Sequence, residues 1–435
     1  MKEKDIHFAL SIILFIVISF LIFIFWGGDM NIRKILCNWE CVTIGVFLIL
    51  FPVVIGFSII IKSCNYTGET VFLSKEDLHY KYKFESAREI YIDKDVANIP
   101  YKYFSDFENL KCVVFEGENT AISPGAFEGC TSLERVYLPS KLKKIRNETF
   151  YGCSNLRSVI IPDSVTSIEV ITFSGCDKVE TLVIGDGITS FCGLPIKQSL
   201  KFILIGNGIK RIEYETFKDC INLTTVTIGS GVEEVGVRAF KNCKNLRSVT
   251  IPDNVTRIGK EAFKDCTNLI SVTIGNGVKK IEKNTFSGCD KVETLIIGDG
   301  LTSLDNLHIT KALKSITIGN GVKEIGVGAF KDCSSLKEIT IPDSVTRIEA
   351  GAFSGCKGLT SVTIGSGVTK IEARAFKGCE KLANVTFADT NNWFYTDKND
   401  YTDEKKVADI LDLKKKLKEG KYYLHKKEAK NEKSN

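Results

Sequence analysis

The chain has 435 residues, 58 basic and 53 acidic side chains, and a formal net charge of +5. This near balance gives no basis for nucleic-acid binding, so we expect no nucleic-acid partner. Only four His are present, and no Gly-x-Ser-x-Gly, His-Glu-x-x-His or Gly-Lys-Ser motif occurs, so we expect no metal, no cofactor and no enzyme.

Two uncharged apolar runs open the chain, at residues 8–26 and 41–61. Each is long enough to cross about 30 Å of hydrocarbon as a helix. A signal peptide is the rival interpretation of the first run, because Lys2 and Lys4 precede it, but no small-x-small cleavage pattern follows. The sequence favours a transmembrane hairpin over residues 1–61, hence a two-pass membrane protein that contacts lipid through residues 8–61.

Flanking charges bear on which side of the membrane the rest of the chain would lie. The side shared by both termini has more flanking Lys residues than the connecting loop has cations. The only cations of the loop are Arg33 and Lys34. This bias favours a cytoplasmic carboxy-terminal domain.

After a predicted amino-terminal cap at 62–89, one pattern repeats over residues 90–388. Its anchoring apolar residues recur at a constant step, and only the steps that follow Val179 and Val292 are two positions shorter. The anchors are Leu110, Leu133, Leu156, Val179, Leu200, Leu223, Leu246, Leu269, Val292, Leu313, Leu336, Leu359 and Leu382. A period of about two dozen residues is typical of a solenoid, in which each turn buries its apolar face only against its neighbours.

The two short steps reveal a second level of repetition. The units after Val179 and Val292 both lack the Phe-x-x-Cys segment. Val179 and Val292 are as far apart in the sequence as Phe104 and Phe217. We infer that a block of five turns was duplicated.

Residues 336–356 show the unit in full: Leu-x-x-Ile-x-Ile-Pro-x-x-Val-x-x-Ile-x-x-x-Ala-Phe-x-x-Cys. Apolar residues two apart predict a strand, Pro or Gly predicts a turn, and Val-x-x-Ile predicts a second short extended piece. Phe, Cys and the next Leu are three apart, which predicts one face of a helical turn. The expected fold is a parallel β ribbon of about 13 turns with short helical or irregular connections, preceded by the transmembrane hairpin.

This pattern resembles the BspA-type leucine-rich repeat, so the resemblance implies a leucine-rich repeat solenoid. It also implies a surface protein that takes part in adhesion or in host or matrix binding. The segment 389–435 resembles the terminal segment that closes such arrays. A surface location would place the solenoid on the side opposite to the one that the flanking charges favour.

Most of the 15 cysteines share one place in the repeat, three residues after Phe. They are Cys130, Cys153, Cys176, Cys220, Cys243, Cys266, Cys289, Cys333, Cys356 and Cys379. No Cys-x-x-Cys or nearby His suggests zinc, and side chains that point the same way do not suit disulfide torsions. We expect a buried ladder of reduced thiols.

The outward position of the first strand changes character along the chain. It is apolar at first, and we call these residues, with Phe202 beside them, the predicted strip: Val114, Tyr137, Ile160, Val183 and Leu204. It is then mostly threonine, which gives a secondary candidate suited to glycans: Thr227, Thr250, Thr273, Thr317, Thr340 and Thr363. Bare apolar residues favour a partner, although strand propensity and cover by residues 62–89 would explain them equally well.

A third row, on the second extended piece, holds six bases and two acids, among them Lys144, Arg211 and Glu324. It suits an acidic partner or a solvated surface. Beyond Ala388 the period stops, and Thr402 begins a predicted helix that ends at Gly420 within the carboxy-terminal cap.

Two functions fit these observations. The first is a membrane-anchored, non-catalytic binding protein that presents its repeats to a protein or glycan. The alternative is a structural envelope or scaffold protein with no specific ligand.

Overall fold

The computed structural model of the chain describes residues 70–191, 199–305, 307 and 312–427. The hairpin predicted at 8–26 and 41–61 lies outside these residues. Within them, no helix has both the length and the apolar character needed to cross a membrane. The two-pass membrane localisation is therefore corrected and is withdrawn.

Each turn of the solenoid contributes one long strand to a parallel ladder. The strands are Thr70–Leu73, Glu89–Ile92, Cys112–Phe115, Arg135–Tyr137, Ser158–Ile161, Thr181–Ile184, Phe202–Ile205, Thr225–Ile228, Ser248–Ile251, Ser271–Ile274, Thr294–Ile297, Ser315–Thr317, Glu338–Ile341, Ser361–Ile364 and Asn384–Phe387. They form sheets of four, eight and three strands in that order. Corresponding residues of successive turns face each other, as Val183 faces Ile160 and Leu204.

A second ladder of two-residue strands runs along another side of the turns. Its members are Asn98–Ile99, Ala121–Ile122, Lys144–Ile145, Ser167–Ile168, Arg211–Ile212, Glu234–Val235, Arg257–Ile258, Lys280–Ile281, Glu324–Ile325, Arg347–Ile348 and Lys370–Ile371. Each buries its second residue and directs the first outward. The predicted strand, turn and short extended piece are thus confirmed, and so is the solenoid of about 13 turns.

The core is a continuous column of Leu, Val, Ile, Phe and Cys side chains. The repeated Phe residues stack face to face: the Phe240 and Phe263 ring centroids lie 5.2 Å apart, and those of Phe263 and Phe286 lie 5.5 Å apart. Neither Phe240 nor Phe263 is exposed. Because each ring contacts rings of both adjacent turns, no turn has a complete core of its own.

The Phe-x-x-Cys segment is not the helical turn that the three-residue spacing predicted. Residues two before and two after each Phe adopt positive φ, such as Arg238 at 57° and Asn242 at 62° around Phe240. Left-handed residues interrupt a helix, so the segment is a pair of tight turns instead. Ile171 occupies one of these positions, with a φ of 57°.

The two short turns interrupt the Phe stack. Its three runs are Phe104 to Phe173, Phe217 to Phe286 and Phe330 to Phe376. At the first break Phe191 meets the Phe217 ring edge to face at 5.3 Å. At the second, Leu301, Leu304 and Leu307 are buried in the core.

At the amino-terminal end, residues 70–92 continue the ladder. Strand Thr70–Leu73 pairs in parallel with Glu89–Ile92, and the two short 3-10 helices Glu76–His79 and Lys81–Phe84 connect them. Phe84 packs into the core, with 2% of its surface exposed.

The carboxy-terminal end is closed by antiparallel structure. Strands Trp393–Thr396, Lys405–Lys406 and Tyr423–Lys426 form a small sheet, and Tyr423–Lys426 also pairs with Lys370–Ile371 of the short-strand ladder. The helix Ile410–Glu419 begins at Asp409, whose carboxylate accepts the Asp412 N–H at 2.8 Å, and it ends at Gly420 with a φ of 65°.

Candidate functional site

The predicted strip lies on the outward side of the long strands. Val114 faces Tyr137 in register, and Val183 faces both Ile160 and Leu204. Ile160 is 40% exposed, and the other five residues of the predicted strip are partly exposed. The strand alternation produces this arrangement, because the intervening residues point into the core.

Two aromatic residues extend this row beyond what the repeat pattern indicated. Tyr91 faces Val114, and Phe72 faces Tyr91, with ring centroids 5.3 Å apart. Phe72 is 58% exposed. Cover by residues 62–89 was one explanation of the apolar row, but the described part of that segment, from Thr70 onward, instead lengthens the row.

We call the resulting row the extended strip: Phe72, Tyr91, Val114, Tyr137, Ile160, Val183 and Leu204. Seven strands at a spacing of about 4.8 Å give a row roughly 29 Å long. Phe202 is partly exposed on the same side of its strand as Leu204 and widens the row at its far end.

Past Leu204 the row becomes hydroxylic, as the sequence predicted. Thr227 faces Leu204, Thr250 faces Thr273, and Thr340 faces Thr363. Thr317 faces Ile296, a 41% exposed residue that interrupts the hydroxyls.

An open groove of about 360 Å³ lies beside two of these threonines. It is lined by Ser230, Thr250, Ile251, Pro252, Asp253, Asn254, Thr273 and Gly275. The Asp253 carboxylate accepts the Asn276 N–H at 2.7 Å, which holds one wall of the groove.

The basic row on the short strands is largely neutralised by acids of the chain itself. Arg347 contacts Glu324 of the preceding turn at 3.0 Å and Glu349 of its own turn at 2.8 Å. Lys280 likewise pairs with Glu282 at 2.9 Å. The count of six bases against two acids included Glu324 but omitted Glu282 and Glu349, so the row is not a cationic surface.

A second ionic cluster surrounds Glu261, which is 7% exposed. Its carboxylate accepts hydrogen bonds from the Lys241 ammonium at 2.9 Å and the Arg238 guanidinium at 3.0 Å. The hydrogen bond from Lys241, and then that from Arg238, lower the Glu261 pKa to about 2. Both bonds reach Oε2 of Glu261, so the cluster ties adjacent turns together.

The cysteine ladder is buried and reduced, as predicted, apart from the partly exposed Cys379 at its end. Thiols donate to the carbonyl oxygen of a Phe in the preceding turn, as Cys130 does to Phe104 at 3.0 Å and Cys153 to Phe127 at 3.1 Å. Desolvation raises the pKa of Cys130 to about 12. A buried thiol with a raised pKa is a poor nucleophile, so the ladder is a structural element.

The part of the chain that the structure describes contains no group of three or more His, Cys, Asp or Glu side chains placed to hold a metal ion. The candidate sites that the exposed residues offer are two surfaces, the extended strip and the hydroxylic half.

Sequence comparison places most of the chain in repeats of one kind. The family described as BspA type Leucine rich repeat region matches in six copies, over residues 78–193, 196–312 and 307–402. No curated protein matches the chain.

Solved structures of leucine-rich repeat proteins are similar in fold. A leucine-rich repeat protein from Bacteroides ovatus is 24% identical with a TM-score of 0.42, and the match covers 74% of this chain and 91% of that one. A leucine rich cell surface protein from Faecalibacterium prausnitzii is 24% identical with a TM-score of 0.28, covering 75% of this chain and 84% of that one. At these identities the likeness concerns the fold alone.

Proposed function

Because the chain belongs to the BspA-type leucine-rich repeat family, we propose that it binds a protein partner through the extended strip. The repeat solenoid of this family is a non-enzymatic binding scaffold, in agreement with the prediction that the chain is not an enzyme. A host or matrix protein is the class of partner that the resemblance implies.

One observation carries the proposal: apolar side chains occupy the outward position in seven consecutive turns. Corresponding positions elsewhere in the array mostly hold threonine, which the same backbone accommodates. Folding therefore does not require Tyr137 or Leu204 to be apolar. A contiguous exposed apolar row is typical of protein interfaces.

The stacked turns also suit binding energetically. Main-chain pairing holds the row in register within each of the two sheets that it crosses, so a partner gains contacts without ordering a loop. Preorganisation of this kind reduces the entropic cost of association.

Site-specific photo-crosslinking tests the proposal. Benzoylphenylalanine replaces Ile160 in one version of the full chain and Thr273, its counterpart in the duplicated block, in the other. We expect one protein to crosslink from position 160 and not from position 273, and the Y137T and L204T substitutions to abolish the crosslink. Equal crosslinking from both positions, or crosslinking that survives both substitutions, would support the structural scaffold instead.

The groove beside Thr250 and Thr273 favours a second candidate, recognition of a glycan. Its hydroxyl, carboxylate and amide groups can hydrogen-bond to sugar hydroxyls, and Pro252 offers a small apolar surface. Glycan-array binding that is lost in a T250V/T273V variant and kept in a Y137T/L204T variant would favour this function over protein binding.

A further inference from the structure

Arg135 places a positive charge beside the extended strip. It lies two residues before Tyr137 on the same outward side of strand Arg135–Tyr137, and it is partly exposed. Its Nε–H is buried and has no hydrogen-bond partner. A buried N–H group without a partner is rare in folded proteins. Because Nε is buried, only the remaining guanidinium nitrogens of Arg135 can reach a ligand.

The neighbouring strands supply no anion to this group. Cys112 faces Arg135 on one side. On the other side lies the next turn, because the Arg157 N–H donates to the Glu134 carbonyl oxygen at 3.0 Å. The residue of that turn that corresponds to Arg135 is Ser158, which carries no charge. Within residues 70–191, 199–305 and 312–427, no ion pair includes Arg135.

Some other arginines of the array have ion-pair partners within the chain. Arg211, Arg238, Arg257 and Arg347 form ion pairs with glutamates of their own or adjacent turns, whereas Arg146, Arg157, Arg247 and Arg374 form none within the described residues. In the duplicated block, the counterpart of Arg135 is Ser248, at the same place in its strand. A cation is therefore not required there by the backbone.

We infer that Arg135 binds a carboxylate of the partner protein, on a segment whose neighbouring side chains are apolar. A guanidinium group recognises carboxylates through paired hydrogen bonds, and these strengthen when the contact excludes water. Tyr137, two positions further along the same strand, and its partner Val114 on the neighbouring strand place apolar surface beside the charge, which matches aliphatic or aromatic side chains better than sugar hydroxyls. This inference rests on the proposed function and names the chemistry of its partner.

Selection of displayed peptides on the full chain tests it. A phage library of random dodecapeptides is selected on the wild-type protein, and the enriched sequences are synthesised with a fluorescent label. We expect one Asp or Glu flanked by apolar residues in these sequences. Replacing that acid by its amide should weaken binding, measured by fluorescence anisotropy, by about tenfold or more.

Variants of the chain assign the effect to Arg135. Arg135→Ser should weaken the acidic peptide about tenfold and leave the amide peptide unchanged, while Arg135→Lys retains part of the difference. Arg347→Ser is the matched control, because Arg347 already pairs with Glu324 and Glu349, and it should change nothing. Unchanged thermal midpoints for these variants exclude misfolding.

Three results would overturn the inference. They are selection of no acidic peptide, equal binding of acid and amide peptides, and tight binding of an oligogalacturonate that depends on Arg135. Peptides without an acid that lose affinity for the Y137T/L204T variant would leave the proposed function standing while this inference fails. If acidic peptides bind the Arg135→Ser and Y137T/L204T variants as tightly as the wild-type chain, both this inference and the proposed function are contradicted.

Discussion

The Cys266 thiol donates a hydrogen bond of 3.3 Å to the backbone carbonyl oxygen of Phe240, one turn earlier in the solenoid. The same bond joins Cys243 to Phe217 and Cys289 to Phe263. Each therefore satisfies a carbonyl at the tight turn of its neighbour. The cysteines link turns by hydrogen bonds, without any covalent connection.

Alkaline pH should destabilise the fold through this ladder. Burial raises the Cys130 pKa from 9.0 to about 12, so the folded state keeps the proton more tightly than the unfolded chain. The stabilising contribution is complete below pH 9 and is lost as pH rises from 9 towards 12, by at most about 1.4 kcal/mol per pH unit and thiol. Urea unfolding between pH 8 and 10.5 measures this loss. A Cys130→Ala variant should show a shallower fall, and identical pH profiles would contradict the prediction.

Truncation of a stacked ring should cost far more stability than truncation of an exposed one. Phe263 lies between Phe240 and Phe286 and has no exposed surface, so Phe263→Ala should lower the free energy of unfolding by about 3–5 kcal/mol. Phe72→Ala, at an exposed ring, should change it by less than about 1 kcal/mol. Denaturant titrations followed by circular dichroism compare the two, and similar losses would show that the stack does not hold the turns together.

Substitution of Ile171 should raise the stability of the fold. Ile171 is β-branched and has a φ of 57°, whereas its counterpart in the duplicated block, Asn284, has a φ of 60° and a side chain that tolerates this conformation. Ile171→Asn should raise stability by about 0.5–1 kcal/mol, and the reciprocal Asn284→Ile should lower it by a similar amount. Thermal unfolding of both variants provides the measurement. A destabilised Ile171→Asn variant would mean that the side chain gains more from packing than the backbone loses.

Acid should weaken the cluster around Glu261. Hydrogen bonds from Lys241 and Arg238 lower its pKa from 4.5 to about 2, so its stabilising contribution is present above pH 5 and is lost as pH falls towards 2. Glu261→Gln should be less stable than wild type by about 1–3 kcal/mol at pH 7. The difference between the two proteins should vanish near pH 2. A difference that is constant with pH would instead indicate a loss of packing.

The carboxy-terminal cap should protect the last turns. Trp393 and Leu413 are buried within the cap, whereas Leu411, on the same helix as Leu413, is 73% exposed. Leu413→Ala should therefore lower the unfolding midpoint, with a cost of about 2–4 kcal/mol, while Leu411→Ser should have almost no effect. Deletion of residues 389–435 should cause aggregation, detectable by light scattering. A monomeric truncated chain with unchanged stability would contradict the assignment of this segment as a cap.

Most of the fold could be predicted because every turn repeats the same burial pattern. What escaped prediction lies where the period changes. The chain from Val71 to its partner Ile90 is shorter than the chain from Ile90 to Val113, so the irregular first step concealed Phe72 as a member of the strip. The alternation within TVFL and EIYI was the available signal.

Side-chain partners were harder to predict than strands. The repeated Lys/Arg-Ile-Glu motif places a base and an acid on one side of an extended segment, as in Lys280 and Glu282. The charge count of the basic row included the base of this motif and left out the acid. The predicted helix start at Thr402 was wrong because Lys405–Lys406 forms a strand and Glu404 instead pairs with His425 at 2.5 Å. Such choices depend on contacts distant in sequence, which local capping patterns do not contain.

The duplicated block gives the chain a natural unit of length variation. Lys201 pairs with Glu180 at 2.9 Å, and at the corresponding place in the other copy Lys314 pairs with Glu293 at 2.8 Å, so both copies join their neighbours through the same contacts. Recombination between the copies would remove or add five complete turns in register. The contacts at both ends of the solenoid would stay the same. The number of turns between the extended strip and the carboxy-terminal end would therefore change by five without a new end contact.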